Sequence, residues 1–398
     1  MQTQHPVIVV GAGPSGLSTA LFLAERGCAV TVLERNEVFP SDPRAATFHP
    51  PTMEILAPSG VTEELHRRGI VGPNWQNRDR EKGVICEFDL GVLSGETPYP
   101  YRLQCEQHKF VAILREKLAD QPLVTVISDV DVTRVAQGSA GVSVETNKGA
   151  FRASYVVGAD GGRSVVRKSA GISFEGFTYQ ERFLVITTTH DFSANGYAVS
   201  NYVSDPVEWA ALFQVPGNGA GPLWRVVFPT RPEESEADLL SFENARRHLK
   251  AFMPKEDGYE VVHTNLYTVH QRVAGTFRKD RLLLVGDAAH VNKPLGGMGM
   301  NFGIHDAANL APKLAAVLLD GADDAILDRF DRQRRFAATK FLQAMTIQNK
   351  QALEETDQEA REARQQQLRE TAADPVLAKA HLMRTSMIEG YRASLAVE

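Results

Sequence analysis

A glycine-dense turn near the start of the chain constrains the fold more than any other feature. Val7 to Val10 runs into Gly11-Ala12-Gly13-Pro14-Ser15-Gly16, and a helical pattern carrying Leu17, Leu21, Leu23 and Ala24 follows. A second apolar run, Ala29 to Leu33, ends at Glu34 and Arg35. Strand, tight turn, helix and strand make a βαβ unit, whose parallel strands require a right-handed crossover and put a ligand at the strands' carboxyl ends. Gly11 allows the turn, Gly13 lets the backbone approach a pyrophosphate, and Gly16 lets helix and strand pack closely. The helix N-terminus, opened by Pro14 and Ser15, offers free N–H groups from Ser15 onward to phosphates, and Glu34 can accept from a ribose 2′-hydroxyl. Such a glycine pattern is weak alone; here the strand before it, the helix behind it and the acid about 20 residues on supply its context.

Two later segments repeat the theme of a buried strand running into a carboxylate. Val156-Val157-Gly158-Ala159-Asp160-Gly161-Gly162-Arg163-Ser164 leads to Val165-Val166-Arg167, a strand and Asp-Gly turn with nearby cations that fits a structural role as well as a ligand-binding one. Leu284-Val285-Gly286-Asp287-Ala288-Ala289-His290 precedes Pro294-Leu295-Gly296-Gly297-Met298-Gly299-Met300-Asn301 and then His305-Asp306-Ala307-Ala308-Asn309-Leu310. There Asp287 can bind sugar hydroxyls, and the backbone N–H groups of the loop can face the polar edge of a bound ring.

The remaining pattern divides the chain. A helix is expected over Phe110 to Leu118, strands at Val124 to Ile127, Gly141 to Glu145 and Tyr155 to Val157, and helical periodicity is lost from Gly72 to Tyr101. Strand candidates then crowd together at Phe183 to Thr189, Tyr197 to Val203, Trp209 to Val215 and Leu223 to Phe228, the last two separated by the turn-rich Pro216 to Pro222. The expected architecture is α/β: a Rossmann-type nucleotide-binding domain (1–72, 102–172 and 274–320), an inserted, mainly antiparallel β-sheet substrate domain (73–101 and 173–273) and a C-terminal helical region (321–398). A long helix is expected from about Gly303 to Leu319, and the charged stretch Glu354 to Glu370 reads as a solvated helical face.

With 398 residues the chain can bury a sizeable core in two or three interleaved domains, and a net charge of −6 argues against nucleic acid as a partner. Cys28, Cys86 and Cys105 are an odd number at unrelated spacings, which fits neither a disulfide framework nor a zinc site, and His290 has no second ligand at metal spacing. No leader-like segment precedes the first strand and no run reaches the length of a membrane span, so the expectation is a soluble cytoplasmic protein without metal.

In this order the three segments resemble the group A flavoprotein monooxygenases, the family of para-hydroxybenzoate hydroxylase and phenol hydroxylase. Its fingerprint matches Gly11, Gly13, Gly16 and Glu34; its second motif matches Asp160, Gly161, Ser164 and Arg167; its third matches Gly286, Asp287, His290, Pro294, Gly296, Gly297, Gly299 and Asn301. An arginine in a Pro-Arg-Ala pattern matches Arg44, and the residue opening the next helix beside the flavin matches Gln107. Two departures stand out: Lys293-Pro294 where many members have Pro-Pro, and His49-Pro50-Pro51-Thr52 where many have His-x-Arg-Thr. The first adds a cation to the flavin's surroundings, and the second removes an arginine contact.

The resemblance implies FAD, with NADH or NADPH as co-substrate, and hydroxylation of a small aromatic or heteroaromatic substrate by O2 through a flavin C4a-hydroperoxide. The cofactor carries the hard chemistry while the protein positions it and keeps water out. It assigns FAD binding to Gly11, Gly13, Pro14, Ser15, Gly16, Glu34, Arg35, Arg44, Gln107, Asp160, Gly161, Gly286, Asp287, Gly299, Met300 and Asn301. It places Pro294, Gly296 and Gly297 at the reactive edge. His290 is implied as a structural hydrogen-bonding residue. Tyr202, Phe213, Gln214 and Arg225 on the inserted sheet are candidates for holding an anionic aromatic, with strand alternation allowing only half of them into a pocket. Rival readings are a halogenase of the same fold, which would be expected to show Trp-x-Trp where Trp75, Trp209 and Trp224 are isolated, and a non-catalytic FAD-binding protein. NADH against NADPH stays open, and a homodimer is admissible.

Overall fold

The computed structural model describes residues 6–40, 44–219 and 221–398. The opening βαβ unit forms because Val7–Val10 and Val30–Leu33 are fully buried β-formers, and Pro14–Ala24 between them is helical with its apolar residues buried. These strands lie in the middle of a six-stranded sheet ordered Arg278–Lys279, Leu282–Leu284, Tyr155–Gly158, Val7–Val10, Val30–Leu33 and Val124–Ile127. All its pairs are parallel except the outermost, Arg278–Lys279 against Leu282–Leu284. The glycine turn, Asp160 and Gly286 therefore emerge at the carboxyl ends of three adjacent strands.

The inserted sheet is larger than the sequence pattern foretells. Eight strands run in the order His290–Val291, Val261–Ala274, Phe174–Thr188, Leu223–Pro229, Ala210–Val215, Ser200–Ser204, Asn74–Asp79 and Gly83–Asp89. Every pair is antiparallel except Ser200–Ser204 with Asn74–Asp79, so the segment that lacked helical periodicity supplies one edge. The expected strand at Phe183 is the end of a fifteen-residue strand, and Val261–Ala274 escapes periodicity because polar residues fall on both faces. Leu184, Ile186, Leu212, Trp224 and Phe228 turn one sheet face toward the helix Phe242–Phe252, while Tyr202, Ala211, Phe183 and Trp75 pack on the other.

The long helix begins at Gly299 rather than Gly303, so the end of the glycine loop is already its first turn. Beyond it Ile326–Ala337, a π-helical turn at Ala338–Gln343, Ala344–Glu354, Gln358–Ala373, Pro375–Thr385 and Ile388–Leu395 form the C-terminal helical region. This region is not a merely solvated appendage: Leu353, Ala378, Leu382 and Ile388 join the core of the inserted sheet. Among the described residues no helix is long and apolar enough to cross a membrane.

Candidate active site

At the nucleotide cleft the backbone is the main actor. Gly11 has φ +100°, and a Cβ there would stand 2.5 Å from the carbonyl oxygen of Ala159; at Gly16 it would stand 1.9 Å from that of Gly11. Neither position admits another residue without moving a strand. Gly13 caps the helix without any side-chain bond to its first N–H groups, and nothing lies within 4 Å of where its Cβ would be. Unsatisfied donors facing open space are what a pyrophosphate requires. Ser15 fits under the bare backbones of Gly286 and Gly303, each of which would put a Cβ within 2.3 Å of its hydroxyl.

Glu34 closes the turn, its Oε2 accepting from Ala12 N at 2.8 Å and its Oε1 from Asn36 N and Nδ2 at 2.9 and 2.7 Å. Oε2 keeps a lone pair that a ribose hydroxyl can use. Arg35 is exposed just beyond. Gln107 opens the helix Gln107–Ala119, and no described residue hydrogen-bonds its side-chain amide.

The second motif is a brace. Asp160 accepts from Ser164 Oγ at 2.5 Å and from Val165 N and Val166 N at 2.6 and 3.2 Å, capping the short helix Val165–Ser169. Burial pushes its carboxyl above the usual range against the pull of these donors. Arg167 then reaches Ala288 O and Gly162 O at 2.8 and 2.7 Å, strapping the second motif to the third, while Gly161 has open space around it.

In the third motif Asp306 organises the turn at Gly286, accepting from Gly286 N at 2.9 Å, bonding His290 Nε2 at 2.7 Å and receiving Arg334 Nε at 2.6 Å. Despite complete burial, His290 and Arg334 hold its carboxyl down at about 2. Asp287 reaches solvent although protein surrounds it, as on the floor of a deep cleft. Burial raises its pKa, opposed by His290 and then by Arg44.

Asn301 spends its side chain on the scaffold. Its Oδ1 accepts from His49 N and Thr52 Oγ1 at 3.1 and 2.7 Å, and its Nδ2 donates to Thr47 O and Gly297 O at 2.8 and 2.7 Å. His49 Nε2 bonds Gly296 O at 2.9 Å, and Gly297 N donates to Pro294 O at 3.0 Å. The loop is thus fixed from both sides, with Met300 buried and the uncapped helix start at Gly299 beside it. Lys293, the departure that promised a cation at the flavin, is buried and directed instead at Glu181 and Glu354, 3.3 and 3.8 Å away.

A cavity opens beside Gly296 and Met298, between the inserted sheet and the C-terminal helices. Trp75 and Tyr202 form its aromatic wall, with ring centroids 5.6 Å apart, and His381 stacks on Phe88 at 4.5 Å and on Trp75 at 5.8 Å. Arg102 lines it too, 3% exposed, with its guanidinium 5.1 Å from the Trp75 ring. Among the described residues Arg102 has no carboxylate in ion-pair range, and Arg102 Nε, Trp75 Nε1 and His381 Nε2 are all buried without a hydrogen-bond partner. Burial first, then Arg102, Arg384 and Arg364, holds His381 down at about 4, so its imidazole is neutral at pH 7.

Of the four sheet residues singled out by sequence, only Tyr202 lines this cavity. Phe213 packs behind it with centroids 5.9 Å apart, and Gln214 pairs with Trp224 and so shares its opposite face. Arg225 is buried elsewhere, donating to the carbonyl of Arg44. Trp75, Arg102, Arg364 and His381 line the cavity as well, and neither a motif nor a period marks them in the sequence.

Comparison with known proteins decides what this arrangement is. Residues 4–345 match the model of the FAD binding domain family. The chain belongs to this family of FAD-dependent aromatic hydroxylases. It is 34% identical over 397 residues to para-nitrophenol 4-monooxygenase of Pseudomonas sp. (strain WBC-3), covering 98% of each chain. It is 36% identical over 355 residues to 6-hydroxy-3-succinoylpyridine 3-monooxygenase of Pseudomonas putida (strain DSM 28022 / S16), covering 84% of this chain and 86% of that one. The crystal structure of p-nitrophenol 4-monooxygenase from Pseudomonas putida DLL-E4 superposes with a TM-score of 0.92 at 34% identity, over 98% of this chain and 99% of that one.

The protein is therefore an FAD-dependent aromatic monooxygenase that uses NAD(P)H and O2 on a small aromatic substrate. The cleft fits the cofactor: its free helix donors, the space at Gly13 and the lone pair on Glu34 suit the dinucleotide, and Asp287 on the cleft floor suits its sugar-alcohol chain.

Proposed function

We propose that the hydroxylase takes an ionised phenol or hydroxy-heteroaromatic into the cavity beside Gly296 and oxygenates it at the ring carbon para to its hydroxyl, displacing the substituent already there. The observation that carries the cavity assignment is one aromatic-walled space lined by Arg102, Trp75 and His381, each of which has a buried polar atom without a hydrogen-bond partner among the described residues. A buried guanidinium without a counter-charge costs several kcal/mol, so a ligand that brings a phenolate is favoured over a neutral one. The position of attack is supported by the two relatives' names. In each, the numbered position of oxygenation carries the nitro or succinoyl group and lies para to the hydroxyl.

FAD, when bound, accepts the hydride of NAD(P)H and activates O2. The chain's part is positional: Arg102 pairs with the ring oxygen, neutral His381 and the Trp75 N–H offer hydrogen bonds, and the aromatic wall keeps water from the reacting carbon. At that carbon a C–O bond forms as the phenolate pushes electrons into the ring. The substituent leaves with its bonding pair, the new hydroxyl gives up its proton, and a quinone remains.

The test uses 4-nitrophenol. One nitrite per NAD(P)H consumed is expected, and Arg102→Met should raise KM about ten-fold or more while leaving FAD content unchanged. A product that keeps its nitro group and gains a hydroxyl elsewhere would overturn the displacement. An unchanged KM in the variant would remove Arg102 from the site. The division into 1–72, 102–172 and 274–320, 73–101 and 173–273, and 321–398 is proposed with the same reading, as are a homodimer and a cytoplasmic setting.

A further inference from the structure

We infer that Arg364, on the helix Gln358–Ala373, is a specificity-determining residue that receives a second anionic group on the substrate, so that hydroxyaryl compounds carrying an acid arm are the preferred class. The inference rests on the cavity being the substrate site.

Among the described residues four arginines line the cavity, Arg78, Arg102, Arg361 and Arg364, and no carboxylate residue does. Two of the four are already engaged. Arg78 donates to Gln76 Oε1 and Gly196 O at 2.6 and 2.9 Å and lies 3.9 Å over the ring of Tyr197. Arg361 pairs with Asp79 at 2.9 Å. Arg102, inside, and Arg364, toward solvent, have no ion pair or hydrogen bond among the described residues. An aromatic ring held against Trp75 and Tyr202 thus has an unanswered cation in the interior and another on the helical wall.

Arg364 is exposed, but the helix that carries it is anchored. Arg361 and Gln365 stand one helical turn apart and both grip Asp79, at 2.9 and 2.8 Å. Asp79 is 3% exposed at the end of the inserted sheet's penultimate strand. Burial works to raise its pKa, but the backbone N–H groups of Lys82 and Glu81 with Gln365 and Arg361 outweigh it and keep the carboxylate charged. The clamp fixes the helix, and Arg364, lying between its two jaws in sequence, faces the cavity. Protein packed around the guanidinium lowers its pKa, and Glu355 is the one acid acting against that trend, from beyond ion-pair range. A partly desolvated cation gains more from an incoming carboxylate than a fully hydrated one does.

The test compares ligands that differ only in the arm. 6-Hydroxy-3-succinoylpyridine and its neutral primary amide are titrated into the FAD-loaded enzyme, with binding read from the flavin absorbance change and KM from NAD(P)H oxidation. 4-Nitrophenol serves as the armless control. The expected result is a preference for the acid over the amide of about five- to ten-fold in the wild type, erased in Arg364→Gln and partly kept in Arg364→Lys. Constants for the amide and for 4-nitrophenol should stay within about two-fold in both variants. No preference in the wild type, or equal losses for acid and amide in Arg364→Gln, would overturn the inference while 4-nitrophenol binding left the cavity reading standing. Failure of all three compounds to bind the wild type would overturn both.

Discussion

The nucleotide cleft and the aromatic cavity share the glycine loop, yet they are built on opposite principles. In the cleft the protein works by what it leaves out: side chains are missing at Gly11, Gly13 and Gly16 so that backbone can meet backbone or ligand. In the cavity it works by what it leaves unanswered, in the orphaned polar atoms of Arg102, Trp75 and His381. Absence of a side chain is recorded in the sequence itself. Absence of a partner exists only once distant segments are folded together. The first kind of site tolerates almost no substitution, whereas the second should tolerate changes that keep its shape.

The sharpest way to break this comparison lies within the fingerprint. Gly16→Val should yield no folded protein, since even a Cβ would sit 1.9 Å from a carbonyl oxygen. Gly13→Val should fold, because the space beside Gly13 is empty of protein, yet purify without flavin if that space receives the pyrophosphate, as we propose. Circular dichroism and the flavin absorbance ratio separate the two. A yellow Gly13→Val protein would mean the dinucleotide does not pass there.

That contrast accounts for what was legible beforehand. The buried parallel strands and the fingerprint could be read because Val7–Val10, Val30–Leu33 and Tyr155–Gly158 are buried on both faces and read as plain apolar runs. Asn74–Asp79 and Val261–Ala274 could not, because their polar residues find partners across the sheet or along the C-terminal helices, as Asp79 does with Arg361 and Gln365. Charge in Gln358–Ala373 reads as solvation until that pairing is seen. Arg225 is a cation on a strand with aromatic neighbours, but its guanidinium is answered by the Arg44 carbonyl, whereas Arg102, on the strand Arg102–Gln104 of a separate three-stranded sheet, keeps its Nε unpartnered.

Acid should loosen both regions together. His49 and His381 are held down at about 3 and 4, and His305 well below its ordinary range, in each case mainly by burial and then by a neighbouring arginine. Their folded pKa values lie below the unfolded value of about 6.5, so the stability tied to their neutral forms is complete above that pH and is lost as pH falls. Each contributes a slope of up to roughly 1.4 kcal/mol per pH unit. Asp160 and Asp287, raised by burial, offset part of this above the ordinary carboxylate range. Urea unfolding of the FAD-loaded protein at pH 7, 6 and 5 should show a steady fall, and His381→Phe, which keeps the stack on Phe88, should flatten it. An unchanged slope in that variant would mean His381 is hydrated and the cavity wall open.

The smallest effect is expected at the seam between the two regions, where Lys293 of the glycine loop meets Glu181 of the inserted sheet and Glu354 of the C-terminal helices. Lys293 is fully buried, with its ammonium 4.5 and 4.7 Å from the rings of Tyr179 and Phe183. Burial, with Lys350 adding repulsion, lowers its pKa to about 8 against the pull of Glu354 and Glu181. Below pH 8 the lysine is charged in both folded and unfolded states, and the folded state bears the full cost of the buried charge. Between pH 8 and about 10.5 the unfolded chain still binds the proton that the folded chain has released, so this group's contribution to stability improves as pH rises. Lys293→Met keeps the stem and removes the charge, and Lys350 remains paired with both acids. The variant should therefore match or exceed the wild type at pH 7, by at most about 3 kcal/mol, with the difference shrinking toward pH 10. Parallel urea unfolding of the two proteins at pH 7, 8.5 and 10 measures it. A variant much less stable at pH 7 would show that the ion cluster holds the loop to the helices, and that the cleft and the cavity depend on one shared electrostatic joint.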